Sequence, residues 1–267
     1  MPEPTQVGTT TQSGAQTAEK WIPLRIWRQE RAGVPGGFEE FRVPYRKGAN
    51  VISCLMEIQR NPVNAAGKST TPVTWDAACL EEVCGSCAMN VNGKVRMACS
   101  ALVDKLEQPI RLEPFSKFPV VRDLAVDRQF MFESLKRVKA WIPIDGTYDL
   151  GEGPRMPQEE QEKAYKLSTC ISCGNCLEVC PQVTGSTQGH FVGAAIISQV
   201  RLFNMHPTGA MHARERLGAL MQPGGVQDCA NAQNCVEACP KGIPLTESIA
   251  EINRQAWKQA LLGWLIG

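Results

Sequence analysis

The sequence predicts an α+β protein, with a β-rich N-terminal half followed by an all-helical C-terminal half. Three observations predict it. Apolar residues alternate from Trp21 to Trp27 and return around Phe38 to Val43, the period of two that a half-buried strand requires. Later in the chain the apolar spacing changes to three and four, the period of a helix. Eleven of the 12 cysteines fall into three short runs whose spacings are those of metal ligands.

Composition narrows the function classes. At 267 residues the chain is long enough for two domains with real cores. A net charge of +1 gives no basic field of the kind that attracts nucleic acid. No segment reaches the roughly 18–20 apolar residues of a membrane span. There is no Ser/His/Asp set, no P-loop and no G-x-G-x-x-G. Twelve cysteines in a secreted protein would suggest disulfides, but a chain of this size with these spacings points to metal ligands. Residues 1–20 are polar, with no apolar core and no arginine before Arg25. They are expected to be a disordered tail, neither secretory signal nor transit peptide, on a protein of a reducing cytosol.

In chain order, Ile22, Leu24 and Ile26 line one side of a first strand, Arg31–Gly37 is a turn, and Phe38, Phe41 and Val43 mark a returning strand. Asn50 is placed to cap a helix with Val51, Cys54, Leu55 and Ile58 on one face. Cys54, the one cysteine outside a run, is therefore expected in the core as a small hydrophobe.

Cys79-x4-Cys84-x2-Cys87, with Cys99 after a further eleven residues, has the plant-type spacing for [2Fe–2S]. Gly85 and Ser86 allow a tight loop whose backbone N–H groups face sulfur. Asn92-Gly93 is a strong hairpin signal, and the hairpin returns Cys99 to the side of Cys87. The rival is a structural zinc site, which usually shows two C-x2-C knuckles where this stretch has one. Ile110 and Leu112 complete a β-grasp-like plant-type ferredoxin domain. A helix is expected from about Val121 to Trp141, with Leu124, Phe132, Leu135 and Val138 apolar. Ile144 to Met156 reads as a linker, and Pro157 starts another helix.

The last two runs are Cys170-x2-Cys173-x2-Cys176-x3-Cys180-Pro181 and Cys229-x2-Ala232-x2-Cys235-x3-Cys239-Pro240. In the bacterial pattern the fourth cysteine of each run ligates the other cluster. Crossover gives Cys170, Cys173, Cys176 and Cys239 as a complete [4Fe–4S] set. It leaves Cys180, Cys229 and Cys235 with Ala232 at the fourth place. The simplest reading is a [3Fe–4S] cluster; the alternative is a [4Fe–4S] cluster with water or another exogenous ligand. Around these runs helices are expected over Phe191–Phe203, Arg214–Met221 and Leu245–Leu262, the last with Ile249, Ile252, Ala256 and Trp257 apolar. The tail Leu261–Gly267, with Trp264, suits either a partner or interface contact or ordinary helix packing. His190, His206 and His212 are the only histidines, and a hydrogen-bonded structural role is their commoner fate. The divisions expected are a tail over 1–20, a [2Fe–2S] domain over 21–125, a connecting helix and linker over 126–160, and a helical dicluster domain over 161–267.

The order of these motifs resembles the iron–sulfur subunits of succinate dehydrogenase and fumarate reductase. The matching stretches are Cys79–Cys87, Phe118–Leu124, Cys170–Pro181 and Asn234–Gly242. The resemblance implies no substrate site in this chain. It implies electron transfer through [2Fe–2S], [4Fe–4S] and [3Fe–4S], the last held by Cys180, Cys229 and Cys235. Electrons would run between FAD in a partner flavoprotein and a membrane quinone, with succinate oxidation placed ahead of fumarate reduction. The chain would lie on the cytoplasmic face of a bacterial membrane, held by an anchor subunit. Many members carry a tryptophan shortly after the first Cys-Pro and a histidine after the first cysteine of the second run; here those places hold Gln182 onward and Ala230. Quinone-contact residues are left unassigned. The segment Ser198–Ala210 resembles the branch with a single fused, haem-bearing anchor, often working with menaquinone. The alternatives are the Fe–S subunit of another flavoprotein dehydrogenase and a free multi-cluster carrier.

Overall fold

The computed structural model describes residues 20–143, 155–184 and 191–266, with side chains up to Leu262. The expectations for residues 1–19, for the linker over 144–154, for His190 and for the Trp264 side chain lie outside the described residues.

Strands β1 (Trp21–Arg28) and β2 (Gly37–Pro44) form an antiparallel hairpin in register from Trp21↔Pro44 to Arg28↔Gly37. Ile22, Leu24, Ile26, Phe41 and Val43 enter the core. Burying each stabilises the fold by about 1.5–3 kcal/mol. Phe38 has the opposite parity and stays outside, edge-on to Trp27 and against the guanidinium groups of Arg25 and Arg111. Helix α1 (Val51–Arg60) starts at Asn50, whose Oδ1 accepts from Ser53 N at 2.8 Å. Cys54 is 2% exposed on its inner face, where burial pushes the thiol up to about 12.

Strands β3 (Ala88–Val91) and β4 (Lys94–Met97) make the expected hairpin. Asn92 and Gly93 at its tip have φ of 51° and 76°, as a type I′ turn requires. Strand β5 (Ile110–Glu113) is last of the five in the chain but central in the sheet, whose order is β2-β1-β5-β3-β4. It runs parallel to β1 and antiparallel to β3, with Ile110 and Leu112 fully buried.

The helix expected from Val121 is shorter than its pattern. Val120–Arg122 (β6) and Ala125–Val126 (β7) form a small hairpin, and α2 covers only Gln129–Arg137. The reason is Asp123, buried at the turn with φ of 46°. Its carboxylate accepts from Arg28 Nε at 3.0 Å, Gln29 N at 3.0 Å and Thr74 N at 2.9 Å. A buried carboxylate with three donors outweighs local helix preference, because a helix would strand that charge. Leu124 is buried from this hairpin, not from a helix. Phe132, expected inward, is 55% exposed; the inner face of α2 carries Phe130, Met131 and Ser134, with Val138 buried just after it.

The second half contains no strand among the described residues. Its helices are α3 (Gln158–Ser168), α4 (Asn175–Glu178), α5 (Ala194–Met205), α6 (Pro207–Ala210), α7 (Ala213–Leu220), α8 (Asn234–Ala238) and α9 (Leu245–Ile266). Val192, Ile196 and Val200 are buried, on and just before α5. His206 ends α5 and caps α6, its Nδ1 accepting from Thr208 N at 3.2 Å and Gly209 N at 3.3 Å, which is a structural role. Arg216, fully buried, donates to Asn204 Oδ1, Trp141 O and Gly209 O, tying α5, α7 and the connecting segment together. On α9 the inner stripe is Leu245, Ser248, Ile252 and Ala256, with Ile249 beside it. Trp257, expected inward, is 65% exposed, since one residue past Ala256 turns it about 100° around the helix.

Candidate metal centres

All twelve thiols are free, and the fold gathers eleven of them at three places. At the first, the loop after Cys79 aims three backbone N–H groups at its sulfur: Glu81 N at 3.4 Å, Val83 N at 3.3 Å and Cys84 N at 3.3 Å. The β3–β4 hairpin returns the chain, with Ala98 N donating to Cys87 O at 3.1 Å. Asn50 holds the same loop from the other side, its Nδ2 donating to Cys99 O at 2.8 Å, so the cap of α1 also positions a predicted ligand. The Ser86 hydroxyl, 3.3 Å from Cys84 Sγ, is the main cause that draws that thiol down to about 6. Burial pushes Cys87 up to about 12.

The other two places are built on one repeat. Each position from Cys229 to Pro240 lies 59 residues after its counterpart from Cys170 to Pro181. Left-handed backbone recurs at Ser172 and Asn231, and again at Gly174 and Gln233. The short helices α4 and α8 follow at matching positions. Two asparagines then cross: Asn175 Nδ2 donates to Ala238 O at 3.3 Å, and Asn234 Nδ2 to Val179 O at 3.1 Å. Each bond fixes the carbonyl just before the other run's fourth cysteine. The exchange thus places Cys239 with the first run and Cys180 with the second.

The cavities follow the same exchange. One is lined by Cys170, Cys173, Cys176 and Cys239. A second is lined by Cys180, Cys229 and Cys235 together with Ala232. In the first, burial pushes Cys173 up to about 11 and Cys176 well above the ordinary thiol range, with neighbouring cysteines adding to both. In the second, burial raises Cys235 first, then the charges of Cys180 and Cys229. Thiols this reluctant to ionise need a positive partner, which metal binding supplies as it releases their protons. An all-thiolate donor set at these spacings, four cysteines in one cavity and three in the other, fits iron–sulfur clusters.

The first two places touch. Gly85 has φ of 78°, and a Cβ there would meet Ile171 O at 2.5 Å and Cys173 Cα at 3.1 Å. Phe115, Phe118 and Phe130 pack as tilted ring pairs beside this contact, with Phe118 against Gly174. Glu178, on α4, accepts from Ser116 N at 2.8 Å and Lys117 N at 3.0 Å, while the Lys117 ammonium donates to Cys180 O. Sequence reasoning passed over Gly85 as a contact, and over Glu178, Lys117 and Arg128. The recurring Asn-Cys of the two runs was a signal available for Asn175 and Asn234.

Comparison with known proteins agrees with this architecture. Residues 23–133 match the family model described as a 2Fe-2S iron-sulfur cluster binding domain, and residues 166–243 the 4Fe-4S dicluster domain. The chain is 62% identical over 242 residues, 91% of it and 95% of the relative, to the succinate dehydrogenase iron-sulfur subunit of Bacillus subtilis. It is 31% identical over 68% of its length to the fumarate reductase iron-sulfur subunit of Wolinella succinogenes, covering 77% of that protein. A chain of the Mycobacterium smegmatis Sdh1 complex in the apo form has the same fold, with a TM-score of 0.73 over 91% of this chain and 98% of that one, at 23% identity. With one thiol site in its first half and, adjoining it, a doubled, crossed thiol cradle in its second, the chain belongs to the family of iron–sulfur subunits of succinate dehydrogenase and fumarate reductase.

Proposed function

We propose that this chain is the electron-transfer subunit of a membrane-bound succinate:quinone oxidoreductase, working in the direction of succinate oxidation. The observation that carries the reading is the pair of cradles on one repeat, four thiols in one and three with Ala232 in the other. When bound, [2Fe–2S], [4Fe–4S] and [3Fe–4S] clusters would supply one-electron carriers in that order between partner FAD and quinone. The residues that would hold them are Cys79, Cys84, Cys87 and Cys99; then Cys170, Cys173, Cys176 and Cys239; then Cys180, Cys229 and Cys235.

The chain's own work is to hold and desolvate these sites and to keep them adjacent. Gly85 brings the first loop against Cys173, and the crossed asparagines couple the second site to the third. Residues 230–234 are exposed, so the third site opens outward, as suits the end of the path where a partner docks. Gln182 and Ala230 line its cavity with Cys180, Cys229 and Cys235. Those are the places where many relatives carry the tryptophan and histidine of a quinone pocket. We infer a haem-bearing anchor and menaquinone as acceptor, and a position on the cytoplasmic face of the membrane. No described helix is long and apolar enough to cross a membrane. Direction is supported by 62% identity to a succinate dehydrogenase subunit, against 28% and 31% to fumarate reductase subunits. We keep the division at 21–125, 126–160 and 161–267.

The test is EPR on the purified complex, with succinate and fumarate activities against ubiquinone and menaquinone analogues. Three distinct signals are expected, one from oxidised [3Fe–4S], with succinate reducing the menaquinone analogue. Two signals, stoichiometric zinc, or a soluble monomer with no flavoprotein would refute the reading.

A further inference from the structure

Between the first two thiol sites stands one cation. Arg128 immediately precedes α2, and its Nη2 donates to Ser86 O at 3.0 Å and Ala88 O at 3.3 Å, the carbonyls on either side of Cys87. Its Nε is buried and has no hydrogen-bond partner among the described residues. The guanidinium lies 5.9 Å from the centre of the Phe115 ring, on the wall shared with the second site. The charges acting on it are those of Asp76, Cys173, Cys87 and Cys84. Cys84 and Cys87 belong to the first site and Cys173 to the second. Asp76 is exposed, so water screens the one carboxylate that would offset the cation. Burial lowers the pKa of Arg128, but a guanidinium remains protonated at neutral pH.

Reduction adds one electron to a cluster, and a fixed, partly desolvated positive charge favours that added negative charge. We propose that Arg128 is a positioning residue that sets the reduction potentials of the first two centres together, holding both above the values they would have without it. The inference rests on the ligand assignment above. It explains a polar group of this length in a mostly apolar wall, spending its bonds on two carbonyls of the ligand loop and leaving Nε without a partner.

The experiment is an EPR-monitored redox titration of the intact complex carrying Arg128→Gln or Arg128→Lys. Arg128→Gln should lower the reduction equilibrium constant of both [2Fe–2S] and [4Fe–4S] about tenfold or more, roughly 59 mV for a one-electron couple. It should leave [3Fe–4S] unmoved. Arg128→Lys keeps the charge but loses the fork across Ser86 O and Ala88 O, so both potentials should fall by less, in the same direction. Water admitted by loss of packing would favour the more negative, reduced clusters and raise the potentials, the opposite sign to the fall expected from losing the charge. Unchanged potentials in an assembled Arg128→Gln complex would overturn the proposal, as would a fall in Arg128→Lys equal to that in Arg128→Gln. If Arg128→Gln fails to assemble, Arg128→Lys decides: a shift in one centre alone, or in neither, overturns it. Absence of the first two signals in the wild-type complex would instead refute the ligand assignment.

Discussion

The runs 170–181 and 229–240 share a backbone and differ in their surroundings. Both carry left-handed residues at matching places, a short helix, and an asparagine that bonds across to the other run. The first is interior: Cys173, Gly174, Asn175, Cys176 and Leu177 are buried, roofed by Phe115, Phe118 and the Gly85 loop. The second is at the surface, where residues 230–234 are exposed and Cys235 alone reaches the core. The difference teaches that local sequence builds the cradle, while its place in the fold decides what the cradle meets. An interior site has protein on both sides and suits relay. A surface site has one open side and suits exchange with a partner. Ala232, the counterpart of Cys173, belongs to the open one.

Three substitutions break or sharpen this comparison. Ala232→Cys has the largest expected effect, since it restores the missing thiol and makes the runs chemically alike. The three-iron EPR signal should disappear in favour of a second [4Fe–4S] signal at lower potential, with impaired transfer to quinone; an unchanged spectrum would contradict the placement of Ala232. A smaller effect separates the left-handed positions. At Gly174, with φ of 88°, a Cβ would meet Phe118 at 2.9 Å. Gly174→Ala should therefore cost roughly 1–3 kcal/mol, seen as a lower thermal midpoint of the loaded complex. Gln233 pays for the same conformation in the open and has no such roof, so Gln233→Gly should stay within about 1 kcal/mol of wild type, on the stabilising side. Equal effects at the two positions would mean the surroundings do not matter.

Much of this was legible in the sequence, because its signals are local. The hairpin at Asn92-Gly93, the Asn50 cap, the inward Cys54 and the exchange of fourth cysteines follow from turn chemistry, periodicity and spacing. What escaped depends on contacts far apart in the chain. The β6–β7 hairpin exists because Asp123 finds Arg28, Gln29 and Thr74, none of them a sequence neighbour. Phe132 and Trp257 were read inward on hydrophobicity, yet the phases of α2 and α9 are set by which neighbours they meet. Arg128 had no motif to mark it, since its role lies in reaching back to the carbonyls of Ser86 and Ala88. The central place of β5 was hidden for the same reason: chain order does not give sheet order.

The crossed cradle is the central claim, and exchanging one sulfur at a time tests it most directly. EPR spectra of the complex should be compared for Cys239→Ser and Cys180→Ser. Cys239→Ser should perturb the [4Fe–4S] signal and spare oxidised [3Fe–4S], whereas Cys180→Ser should do the reverse. If each serine perturbed the cluster of its own run, the cradle would be uncrossed and the ligand assignment wrong.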